Sequence, residues 1–111
     1  MIYVASPYTH KNPEVRSERY YAVMDFIAHH QDEYDQILYS PIVHYHQIAI
    51  DFDLPTNWEW WWDKNKQMMD LASTILELRI DGWETSKGMQ AEIKYAEETD
   101  MEHIVVIPPQ V

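Results

Sequence analysis

The chain has 111 residues, 46% of them hydrophobic and 14% aromatic, enough for one domain with a thin core and far from the profile of a disordered chain. Nineteen acidic residues against eight basic ones give a formal charge of −11, which repels long nucleic acid and anionic membranes and leaves a small molecule as the expected partner. Cysteine is absent, which removes disulfides, thiolate zinc sites and thiol nucleophiles, and the lack of a leader or a long apolar run makes a cytoplasmic protein the expectation.

Ile2 to Ala5 is an apolar run closed by Ser6-Pro7, the pattern of a buried strand entering a loop. Asn12-Pro13-Glu14 supplies a cap, a first-turn proline and an acid at the positive end of a helix. That helix runs to about His30, with Val15, Tyr20, Val23, Met24 and Ile27 toward the core and Arg16, Glu18 and Asp25 away from it. Gln36 to Ser40 is a second strand closed by Pro41, and IVHYHQIAIDF reads equally as a helical turn or an ordered loop. A helix from Asn57 through Leu71, capped by Thr56 or Asn57, carries Trp58, Trp60, Trp61 and Trp62. Ser73 to Ile80 is a third strand, a helix capped by Thr85 or Ser86 buries Met89, Ile93 and Ala96, and His103 to Ile107 is a final strand before Pro108-Pro109.

Strands alternating with helices predict a single α/β domain over residues 1–111, a short parallel sheet between two helical layers. Ligands of such sheets sit at the carboxyl ends of strands, which places SPYTH, SPIVHYH and DGWETSKG on one rim, with Ser6 and Tyr8 among the expected contacts.

The third loop carries the most chemistry. A strand, a turn with Gly82 and a helix opening near Ser86-Lys87-Gly88 present backbone amides to an anion; Gly88 permits close approach, Ser86 donates a hydroxyl and Lys87 adds charge. Glu92, four residues beyond Gly88, shares its helix face and leans back toward that ligand, where a carboxylate near an anomeric carbon can act as a nucleophile. On spacing alone, a cap at Ser86 and a helix-dipole partner at Glu92 explain the same residues.

From IYVASPY through SPIVHYHQIA and WDKNKQMMDLAS to DGWETSKGMQAE, the sequence resembles the nucleoside 2-deoxyribosyltransferase-like superfamily, which includes deoxynucleoside 5′-monophosphate N-glycosidases and small uncharacterised bacterial and phage families. The resemblance implies a Rossmann-like or flavodoxin-like three-layer domain that needs no cofactor or metal. It also implies an S/DxGxxxE motif whose glutamate is the nucleophile, here Ser86, Gly88 and Glu92. Relatives that act on nucleosides carry aspartate at the first position and nucleotide hydrolases carry serine. Ser86 therefore points to a nucleoside 5′-monophosphate, because a hydroxyl donates to a phosphate that an acid repels. By the same resemblance Tyr3 orients the glutamate, Asp63, with Asp70 as the other register, assists the departing base, and a homo-oligomer, dimer or higher, is implied.

His44 and His46 at i, i+2 make a weak metal pair, and His44 is expected in the polar wall of the site. Asp51 and Asp53 read as a solvated acidic loop rather than as added ligands. Four tryptophans at nearly successive helical positions cannot face one ligand, so most are expected to pack, and Trp83 beside Ser86 is the one expected at the pocket. The leading expectation is an N-glycosidic bond hydrolase or transferase. Its alternatives are a non-catalytic nucleotide-binding or nucleotide-sequestering module, and a structural oligomer built on the tryptophan helix.

Overall fold

The computed structural model of the chain describes residues 1–109. Four parallel strands, β1 (Ile2–Ala5), β2 (Leu38–Tyr39), β3 (Thr74–Leu78) and β4 (Glu102–Val106), form one sheet in the order β2-β1-β3-β4. Register pairs Tyr3 with Tyr39 on one side and with Ile75 on the other. Four α-helices connect the strands: α1 (Pro13–His30), α2 (Pro41–Asp51), α3 (Trp58–Leu71) and α4 (Lys87–Glu98), with a 3-10 turn at Gln31–Glu33 after α1.

Side-chain alternation along the strands divides the core. Ile2, Val4, Leu76 and Leu78 face α1, where Val23 and Phe26 are buried, while Tyr3, Ala5 and Ile75 face α3 and α4 through Met69, Met89 and Ala96. Both faces of β1 and β3 are therefore covered, as a parallel sheet requires, and each fully buried aliphatic side chain contributes about 1.5–3 kcal/mol. The result is the expected three-layer α/β domain. Among the described residues no helix is long and apolar enough to cross a membrane.

Local signals explain most element ends. Asn12 Oδ1 accepts from the Glu14 amide at 3.0 Å at the start of α1, and Ser86 Oγ accepts from the Met89 amide at 3.2 Å at the start of α4. Ser40 does the same for α2, taking the Val43 amide at 3.2 Å with Pro41 in the first turn. The segment after Pro41, open between a turn and a loop on sequence grounds, is thus an eleven-residue helix. Asp53 and Asp100 take left-handed conformations (φ 53° and 56°) just beyond α2 and α4, where Leu54 N and Met101 N return to the carbonyls of Ala49 and Ala96. The strands are shorter than their apolar runs: Gln36 and Ser40 lie outside β2, and Ser73 and Ile80 outside β3.

The direction of connection reverses between β1 and β3, since β1 leads through α1 to the edge strand β2 and β3 leads through α4 to the other edge, β4. The crevice above the carboxyl ends of β1 and β3 is where a fold of this kind accepts ligands.

Candidate functional site

At the sheet centre, Tyr3 is fully buried on β1 and donates a hydrogen bond from its hydroxyl to a carboxylate oxygen of Glu92, itself 5% exposed on α4. Eighty-nine residues separate them in sequence, and the pairing depends on α4 crossing the α3 side of β1. Burial pushes the Glu92 carboxyl up to about 8 against the opposing effect of the Tyr3 hydrogen bond. The Tyr3 phenol is raised well above its ordinary value by burial and then by the charge of Glu92.

Glu92 forms the floor of a cleft over the β1/β3 crevice. One wall is the β1 loop with Ser6, Tyr8 and Thr9, another is the first turn of α4 with Ser86 and Gly88, a third is α2 with Ile42 and Tyr45, and the fourth is α3 with Trp58, Trp62 and Asn65. The cleft measures about 370 Å³ with its open mouth, and the free cavity inside is about 20 Å³, room for a single water. Anything larger must part the side chains. Ser6 Oγ is buried with no hydrogen-bond partner among the described residues, which is costly unless a ligand or water supplies one.

Behind the β1 wall, the Tyr8 hydroxyl lies 2.6 Å from Nδ1 of His46, a buried imidazole that stacks on Tyr20 with ring centroids 4.2 Å apart. Burial lowers the His46 pKa and the nearby Arg16 guanidinium lowers it further. Burial raises the Tyr8 phenol, with Arg16 acting against it. Arg19, one turn further along α1, donates to the carbonyls of Tyr8 and Thr9 at 3.4 and 3.1 Å while lying against Gly82. One guanidinium thereby ties the β1 loop to the loop that follows β3.

The model of the family described as "Domain of unknown function (DUF1937)" matches residues 1–107. The chain belongs to that family. No curated protein matches it.

In this DUF1937 domain, five of the expected site residues share the cleft: Ser6, Tyr8, Ser86, Gly88 and Glu92, with Tyr3 directly beneath Glu92. The others stand apart from it. Asp63, 87% exposed, faces away on α3 and lies 3.4 Å from Lys66 Nζ, because it is one residue past the face that Trp58 and Trp62 present to the cleft. Asp70, the other register, accepts from the Tyr95 hydroxyl at 2.5 Å at the exposed end of α3. Lys87 is exposed in the first turn of α4, and His44 is exposed on α2, tilted against Tyr39. Trp83 packs against the core cluster of Tyr3 and Met89 with the Arg79 guanidinium 4.2 Å over its ring, so it braces the turn instead of lining the pocket.

The cleft also contains residues that sequence reasoning passed over or placed elsewhere. Asn65 lies in a polar run and has no outward mark, yet Trp58, Trp62, Asn65 and Met69 fall at i, i+4, i+7 and i+11, one helical stripe that would have found it. Trp58 and Trp62, expected to pack, form the cleft wall, while Trp61 does pack, stacking on Tyr45 at 4.1 Å and 12°. Gly88 has a structural reason beyond anion approach: a Cβ there would lie 2.8 Å from the Trp58 Cβ, so only glycine lets α3 close on the start of α4. No cluster of three or more His, Asp or Glu capable of holding a metal occurs among the described residues.

Chemically, the cleft offers an ionisable carboxyl on a fixed hydroxyl, the helix N-terminus with the Ser86 hydroxyl, flat indole walls, and the amide of Asn65. Those are the parts needed to grip an anionic group, stack a planar ring against an indole and present a nucleophile between them.

Proposed function

We propose that this domain cleaves the N-glycosidic bond of a nucleoside 5′-monophosphate by a retaining mechanism in which Glu92 attacks C1′. The observation that carries this reading is the buried Tyr3–Glu92 hydrogen bond on the floor of the cleft, two turns of helix or less from Ser86 and Gly88. The phosphate meets the first-turn amides of α4 and the Ser86 hydroxyl, the sugar lies over Glu92, and the base stacks against the indole wall of α3, where Asn65 meets its edge. Attack by the carboxylate forms a glycosyl ester and releases the base; water, or an acceptor base in a transferase, then resolves the ester with overall retention. Incubation with a panel of ribo- and deoxynucleoside monophosphates is expected to release free base, with Glu92→Gln inactive. Full activity in that variant would sink the mechanism.

A specific observation favours a second reading. With its carboxyl pushed up to about 8, Glu92 is mostly uncharged at neutral pH in the empty cleft and serves as a hydrogen-bond donor to a held ligand. A non-catalytic nucleotide-binding module predicts tight calorimetric binding without turnover, retained in Glu92→Gln.

A further inference from the structure

Breaking a C1′–N bond leaves an electron pair on the departing nitrogen, and a proton must reach it. Asp63 lies outside the cleft, so the donor has to come from elsewhere. Within the cleft, Tyr3 is committed to Glu92, the Tyr8 hydroxyl is engaged by His46, Thr9 donates to the Thr56 carbonyl, Ser86 caps α4, the unpartnered Ser6 hydroxyl is an alcohol and intrinsically a weaker acid than a phenol, and Asn65 carries no ionisable proton. Tyr45 remains. Its ring is clamped flat on Trp61, whose indole N–H is anchored on the Pro55 carbonyl at 2.8 Å, and edge-on against Tyr8 with centroids 5.7 Å apart. The side chain is 4% exposed, lines the cleft, and its hydroxyl has no hydrogen-bond partner among the described residues. A rigidly held phenol with an unused hydroxyl, beside a nucleophile, is arranged to exchange a proton with something that enters the cleft.

We propose that Tyr45 is the acid–base residue of this site. This rests on the glycosidic reading above. As a Glu92 oxygen bonds to C1′ and the C1′–N pair withdraws to the base, the Tyr45 proton passes to that nitrogen, leaving an ester and a tyrosinate. In the second step a water oxygen bonds to C1′, its proton returns to Tyr45, and the C1′–O pair goes back to Glu92 as carboxylate. Electrostatics time the exchange. Burial and then the Glu92 charge hold the phenol above its ordinary value, and the second of these disappears when Glu92 becomes a neutral ester, so Tyr45 gives up its proton most readily during the first step.

The test compares wild type with Tyr45→Phe on the best nucleoside monophosphate of the panel and on the 4-nitrophenyl glycoside of the same sugar phosphate, whose leaving group departs as a stable anion. Because the lost hydroxyl has no hydrogen-bond partner among the described residues, the variant melts with the wild type. Its kcat on the nucleotide falls by about 10²–10⁴ with KM little changed. On the nitrophenyl substrate a burst of nitrophenolate survives at close to the wild-type rate, followed by slow turnover as the ester waits for its base. Equal losses in the burst and in nucleotide cleavage would overturn the acid role, as would a variant as active as wild type on the nucleotide. Wild type that cleaves neither substrate refutes the glycosidic reading itself, and this proposal with it.

Discussion

Replacing Glu92 with glutamine should change how the domain's stability depends on pH. The carboxyl moves from 4.5 to about 8 on folding because burial penalises its charged form. A carboxyl raised in the folded state contributes its full stability below the unfolded value, and that contribution is lost as pH rises through the folded value. At about 1.4 kcal/mol per pH unit the loss across this window is about 5 kcal/mol, a large fraction of the stability of a domain of this size. Glutamine keeps the shape and still accepts from Tyr3, but has no proton to lose. Any penalty from its buried amide is therefore constant with pH. Urea unfolding at intervals from pH 5.5 to 9 should show the variant gaining on wild type by about 1.4 kcal/mol per unit and levelling off above about 8. Parallel stability curves would mean that Glu92 ionises in place at little cost, and the account of its burial would be wrong.

Three further outcomes follow from the same geometry. Because attack needs the carboxylate, kcat/KM for nucleotide cleavage should rise with pH up to about 8, and Tyr3→Phe, which removes the hydrogen bond that lowers the Glu92 pKa, should move that limb to higher pH in a rate profile. Gly88→Ala places a methyl against Trp58, so thermal melts should show a loss of about 1–3 kcal/mol together with weakened ligand stabilisation. Ser86→Ala should cost about 1 kcal/mol by removing the α4 cap, and in calorimetry should weaken nucleoside monophosphates more than the matching nucleosides.

Features set by neighbours in sequence were legible. The strand Ile2–Ala5 and the caps at Asn12 and Ser86 depend on a few adjacent residues, and the alternation of elements was enough to indicate a parallel three-layer domain. Features set by packing were not. IVHYHQIAIDF is rich in β-branched and aromatic residues, which blur a helical signal even though Ser40-Pro41 marks its start. Phe26, buried on α1, was absent from the expected apolar stripe because that helix has apolar residues around much of its circumference. The stripe of Trp58, Trp62, Asn65 and Met69 is written in the spacing of α3, but that it faces the cleft, in place of Trp83 and Asp63, depends on how α3 rotates against α4.

The chain contains only two glycines: Gly88 lines the cleft, and Gly82 lies in the loop that leads from β3 to it. Gly82 holds φ 91° with Arg19 against it, and Gly88 is fitted under Trp58. Each is spent on fit, so neither is left over as a hinge, and the carbonyls of the β1 loop are tethered by the same arginine. Adaptation to a ligand thus falls to side-chain torsions, with Trp58 and Trp62 swinging aside over a backbone that keeps its place. Entry would then be heard first in the indole fluorescence of α3, well before any change in the shape of the loops.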